Sequence, residues 1–239
     1  MGFRYIALFN LLGLVLLGSW LAPVTSTIWD TVDNVVFWHL NALVTPNHPT
    51  FVHLLSLASV RLFDSFILGT MMVLFFICAF CDRRAKGQQI AKWLSMGILM
   101  LAVAGVATLL IHDVMTYERA SPTVFHPEAH MLHALTQLPV KDMSPDSFPG
   151  DHGVMAMIFA AFMLRFAPRA GGIAAVILAL IITVPRLMAG AHWFSDVYMG
   201  SLTMTLILTP WVLFSPLQGM LQHKLVPWVN AVWQRLFKH

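Results

Sequence analysis

Charged side chains are scarce in this sequence. Asp, Glu, Lys and Arg make up 10% of the 239 residues, against 58% hydrophobic. Soluble domains carry about 25% charge, so that class is excluded. No basic cluster stands beside exposed aromatics, which excludes nucleic acid as a partner. Cysteine is nearly absent. Cys78 and Cys81 form C-A-F-C at the end of an apolar run, where packing is the better reading than redox or zinc chemistry, and no disulfide framework follows. There is no internal repeat, no low-complexity segment and no G-x-S-x-G elbow for a serine nucleophile.

Long apolar runs fill the space that charge leaves. Mean hydropathy is +0.75, and the length has room for five to seven helices of about 20 residues. The fold class is therefore all-α, a polytopic membrane protein, with one domain over residues 1–239. Six transmembrane helices are expected, near residues 5–24, 66–81, 93–111, 153–167, 173–188 and 198–214. The first run is long for a signal peptide and only Arg4 precedes it, so it reads as a retained helix. The piece W-D-T-V-D-N-V-V-F-W-H-L has helical periodicity and suits an amphipathic helix at the membrane surface. Residues 218–239 resemble a basic interfacial helix.

Six crossings place both termini on one side. That side collects ten of the fourteen basic residues, leaving Arg61, Arg119, Lys141 and Arg186 to the other. Positive residues in short loops mark the cytoplasmic face. Both termini are then cytoplasmic. The polar stretch from Asp113 to Asp151 and the segment from Pro185 to Asp196 share the opposite face, the periplasm in a bacterium.

Three clusters can converge there. One holds Arg119, Ser121 and Pro122. The second, D-S-F-P-G-D-H-G, holds Ser147, Pro149, Gly150, Asp151 and His152 before the fourth span. The third holds Arg186, His192 and Asp196. On a helix, His192 and Asp196 would share one face, with Cβ atoms about 5–6 Å apart. The carboxylate could then hold one ring N–H and free the other nitrogen to attack. Arg186 would not share that face unless Gly190 breaks the helix. Two cations, two imidazoles and a carboxylate are what metal-free phosphoryl transfer needs. A zinc site is disfavoured by two arginines beside a dication, so neither metal nor cofactor is expected.

These residues resemble the signature of the type 2 phosphatidic acid phosphatase superfamily, whose helical bundle is shared with the vanadium haloperoxidases. Its third motif, Ser-Arg, five residues, His, three residues, Asp, is matched in spacing by Arg186, His192 and Asp196. Its second, Pro-Ser-Gly-His, is met by Pro149 and His152 in P-G-D-H. Its first, Lys, six residues, Arg-Pro, keeps Arg119, with His112 at the Lys position and the proline two residues late at Pro122. The motifs lie within residues 111–200. The resemblance implies His192 as nucleophile, Asp196 as its orienting carboxylate and His152 as general acid. It implies Arg119, Arg186 and the chain near Gly150 as phosphate ligands, with Ser147 and Asp151 alongside. Gly150 and Asp151 replace the second-motif Ser and Gly, which removes a hydroxyl donor and adds a charge that is unfavourable unless paired.

R-A-S-P-T, K-D-x-S-x-D-S-F-P-G-D-H-G, P-R-x-M-x-G-A-H-W-F-S-D and the earlier R-x-F-D (Arg61 to Asp64) are similar to one family within it, the lipid A 1-diphosphate synthases. That resemblance implies an inner-membrane enzyme that takes a phosphate from undecaprenyl diphosphate and gives it to lipid A. Two anionic substrates need further cations, and Lys141 and Arg61, with His112, are the candidates for headgroup binding. Against Arg61 stands a simple pairing with Asp64. His126, His130 and His133 read as loop residues. A lipid-phosphate phosphatase would use the same groups with water as acceptor. A transporter would instead spread polar residues through several spans.

Overall fold

A computed structural model describes residues 2–84, 86–114 and 117–237. Among them there is no strand; the one β-type contact is an isolated bridge between Val60 and Val140. The chain runs through α1 (Gly2–Leu21), α2 (Pro23–Asn41), α3 (Pro49–Leu57), α4 (Arg61–Phe80) and α5 (Lys86–Leu109), which passes into a π-helical turn at Leu110–Val114. Two single turns follow, α6 (Pro122–Phe125) and α7 (Leu132–Leu135), then α8 (Asp151–Phe166) and α9 (Arg169–Met188). A π-helical stretch, Asp196–Ser201, leads into α10 (Leu202–Leu208), α11 (Pro210–Leu213) and α12 (Leu217–Phe237).

The short α8 is the axis of the bundle. Val154, Ile158, Phe162 and Met163 on it are buried, packed among α5, α9 and α10. The outer helices α1 and α4 instead expose Leu11, Val15, Phe66 and Phe80, as helices bathed in hydrocarbon do. Where α8 meets α9 the pair Gly171–Gly172 lets the backbones close up: a Cβ at Gly172 would lie 3.0 Å from the Leu164 Cα. Small residues at such seams are how membrane helices pack without a hydrophobic driving force.

The end of α8 away from the motif residues is tied by a buried ion pair. Lys92 Nζ donates to Asp82 Oδ2 at 3.0 Å and to the Phe166 carbonyl at 2.8 Å. Burial opposes the charge of Asp82. Lys92, the Arg84 amide and the Trp93 indole outweigh it and hold the carboxyl at about 2.

Among the described residues four helices are long and apolar enough to cross a membrane: Gly2–Leu21, Arg61–Phe80, Lys86–Asp113 and Arg169–Met188. A pair bent by 52°, Asp196–Leu213 with Leu217–Val232, makes a fifth if counted as one span. The expected fourth and sixth spans fall short for physical reasons. The helix α8 has 16 residues. The sixth run opens on a π-helical stretch and is interrupted at Pro210. The C-terminal helix α12 lies along the first half of α5, with Gln218 Nε2 donating to Ser95 Oγ at 3.2 Å.

Candidate active site

The site forms where α8 begins and α9 ends. Gly190 stops α9 with φ +76°, and a Cβ there would sit 2.5 Å from the Thr123 methyl. Only glycine meets both demands comfortably. The turn that follows carries His192, so His192 and Asp196 do not lie on one helix as their spacing suggested. It also brings His192 back toward Arg186, as the break at Gly190 allows. Both line a cavity of about 530 Å³ with His152, Asp151, Ser147, Lys141 and His112.

His192 Nδ1 lies 2.8 Å from the Ser147 carbonyl. A carbonyl only accepts, so Nδ1 carries the proton and a neutral ring keeps its lone pair on Nε2. Asp196 was expected to make that contact. Its nearest oxygen is 3.8 Å from Nδ1, because both oxygens are engaged elsewhere. Oδ1 accepts from Arg119 Nη1 at 2.8 Å, and Oδ2 accepts from the Trp193 amide at 2.7 Å. Asp196 is fully buried, with its carboxylate beside the ring.

Arg119 stands behind His192 rather than in the cavity. Its Nη2 donates to Asp33 Oδ2 at 2.7 Å and its Nη1 also reaches Ser195 Oγ at 2.6 Å. The guanidinium lies over the Trp193 ring, 5.1 Å from the centroid. Its carbonyl accepts from both the Ser147 amide, at 2.7 Å, and Ser147 Oγ, at 3.0 Å. Ser147 is thus a strut between the first cluster and His192, with its hydroxyl occupied. The Gly150 amide, expected to face phosphate, donates to the Asp196 carbonyl at 3.3 Å, and Ser201 Oγ donates to the Gly150 carbonyl at 2.8 Å.

Arg186 is 4% exposed and bonded through Nη2 to Asp64 Oδ1. The other oxygen of Asp64 is 3.3 Å from His152 Nε2, out of line for a hydrogen bond. His152 Nδ1 meets Asp151 Oδ1 at 2.7 Å, and the same oxygen accepts from the His152 amide. The charge of Asp151 is therefore paired, which answers the cost of an acid beside a phosphate site. His152 is left between two carboxylates.

Lys141 is half-buried on the cavity wall, fixed by its amide donating to the Ser59 carbonyl at 2.9 Å. No hydrogen bond or ion pair is seen for its ammonium among the described residues. Arg61 is exposed at the first turn of α4, outside the cavity. Asp64 pairs with Arg186 and not with Arg61. His126, His130 and His133 bind Asn34, the Asn41 carbonyl and Asp142 respectively, holding the long loop to α2 and to itself.

Two groups were not foreseen. Asp64 appeared only as a partner for Arg61. Asp33 lies in the W-D-T-V-D-N-V-V-F-W-H-L piece, whose pattern suits a surface helix, yet it is 1% exposed. The signal was present: Asp33, Phe37 and Asn41, spaced by four, are the buried face of α2. An acid on the apolar stripe of an amphipathic helix must have a buried partner.

Comparison with known proteins identifies the family. Residues 98–219 match the PAP2 superfamily, a range that holds Arg119, His152, Arg186, His192 and Asp196. The chain is 36% identical over 219 residues to the lipid A 1-diphosphate synthase of Escherichia coli (strain K12), covering 90% of each. No solved structure matches. With a family model matching half of it and a relative matching along nearly its whole length, the chain belongs to the PAP2 superfamily.

Proposed function

We propose that the chain is a membrane phosphotransferase that moves the terminal phosphate of undecaprenyl diphosphate to lipid A 1-phosphate. The products are lipid A 1-diphosphate and undecaprenyl phosphate. The observation that carries this reading is the tether of His192 Nδ1 to the Ser147 carbonyl, which leaves Nε2 as a nucleophile at the cavity that Arg186 and His152 also line. The similarity to the Escherichia coli enzyme supports the choice of donor and acceptor.

In the first step the Nε2–P bond forms and the bond from phosphorus to the bridging oxygen breaks. Arg186 neutralises the non-bridging oxygens. Asp64 holds Arg186 and stands beside His152, and His152 between two carboxylates carries a proton for the departing phosphate. Asp196, buried near the ring, stabilises the imidazolium that develops. In the second step an oxygen of lipid A 1-phosphate attacks phosphorus and the N–P bond breaks. Lys141, a cation of the cavity wall with no partner seen among the described residues, holds the acceptor phosphate.

The same reading sets the chain in the bacterial inner membrane as one domain. Both termini are cytoplasmic and the site faces the periplasm. The crossings number six when α8 and the segment from Asp196 to Leu213 are added to the four long helices. The charge distribution supports that orientation.

The test is to supply purified protein with undecaprenyl diphosphate labelled on its terminal phosphate, with and without lipid A. Label on lipid A is the expected result. Free phosphate released at the same rate with or without lipid A would mean a phosphatase, and no turnover would remove the enzyme reading. In that assay Lys141→Met should raise KM for lipid A by about tenfold, about 1.4 kcal/mol. KM for the donor should be unchanged.

A further inference from the structure

We infer that Asp33, on α2, is a positioning residue for this transfer: it locks Arg119 and Ser195 beside Asp196 and so fixes the turn that carries His192. This inference rests on the phosphohistidine reading. Asp33 lies outside the segment that matches the superfamily, so its carboxylate is brought to the site by a helix the shared motifs do not include.

Three bonds define the lock. Asp33 Oδ1 accepts from the Ser195 amide at 2.7 Å. Oδ2 accepts from Ser195 Oγ at 2.5 Å and from Arg119 Nη2 at 2.7 Å. The other amino group of Arg119 spans Ser195 Oγ and Asp196 Oδ1. Asp33 therefore grips both the residue before Asp196 and the cation that Asp196 binds. The turn from His192 to Asp196 cannot shift without breaking bonds to a group that has no water to replace them.

Charge gives the arrangement a second effect. Asp33 and Asp196 are two buried carboxylates sharing one guanidinium. One negative charge remains, with Asp196 Oδ2 3.8 Å from the His192 ring. In a site of low dielectric such a fixed charge favours the imidazolium that forms as phosphorus is captured. Burial pushes the Asp33 carboxyl above its usual range, against the pull of Ser195 and Arg119. Its charge thus depends on the guanidinium beside it. Without Asp33, Arg119 would only cancel Asp196.

Asp33→Asn keeps the shape and removes the charge; Ser195→Ala opens the same lock from the other side without stranding an ion. Both are measured in the full chain, by label captured on the protein from undecaprenyl diphosphate in a single turnover, by KM for the donor and by thermal unfolding. The capture rate should fall about tenfold in Asp33→Asn and about threefold in Ser195→Ala, with donor KM and inhibition by inorganic phosphate unchanged. The double variant should be no slower than Asp33→Asn alone, since one lock is broken once. A wild-type capture rate in both variants would overturn the inference. So would weaker inhibition by inorganic phosphate at unchanged capture rate, which would place the effect of Asp33 on phosphate binding, or a loss that only follows the unfolded fraction. Wild-type protein that turns over donor without taking label would overturn the phosphohistidine reading instead.

Discussion

His192→Ala should lose transfer by on the order of 10⁴-fold or more, the scale seen when a covalent nucleophile is removed. The loss should appear in kcat with little change in donor KM. Arg186 and the cavity stay in place, and in the proposed reaction they hold donor before any bond to nitrogen forms. His192→Asn is the sharper variant. Asparagine can still donate to the Ser147 carbonyl and hold the turn, yet it offers no basic lone pair to phosphorus. If it is as inactive as alanine while unfolding at the wild-type temperature, the ring is needed for chemistry and not for structure. Activity within tenfold of wild type in either variant would assign the nucleophile elsewhere.

His152→Ala should act differently according to what departs. The group leaving undecaprenyl diphosphate is itself a phosphate, whose second ionisation lies near 6, and it needs little help from a proton. The loss should therefore sit near the low end of general-acid effects, about 10²-fold. A simple alkyl phosphate, whose leaving oxygen becomes an alkoxide, should lose about 10⁴-fold, if the site turns it over at all. Asp151 and Asp64 flank the ring on its two nitrogens, so removing it also leaves two carboxylates facing the incoming phosphate. That repulsion should raise KM for both substrates. Equal losses for the two leaving groups would show that His152 supplies charge alone and no proton.

Much of this was legible in the chain. The apolar runs gave an all-helical membrane protein, and the spacing of Arg186, His192 and Asp196 pointed to a phosphoryl site. The break at Gly190 was visible as a glycine between the arginine and the histidine, and it is what places both at one cavity. Less legible was who bonds to whom. The i, i+4 spacing favoured a helical His192–Asp196 contact. The turn gives the ring to the Ser147 carbonyl, and backbone carbonyls leave no mark in a sequence. The motif position of Arg119 says nothing of its bond to Asp33, 86 positions earlier in the chain, a separation no local pattern reports. The spans are harder to count for a related reason: hydropathy does not register that α8 is short and enclosed, or that the last run opens on a π-helical stretch and bends by 52° into α12.

The central claim is that the imidazole of His192 carries the phosphoryl group between donor and acceptor. It is tested most directly by mixing wild-type protein with labelled undecaprenyl diphosphate alone, quenching in alkali and mapping the label, since N–P bonds survive alkali and fail in acid. The expected result is alkali-stable, acid-labile phosphate on His192 that moves to lipid A when acceptor is added. Transfer to lipid A at the full rate with no label ever on the protein, or with label on another residue, would contradict it.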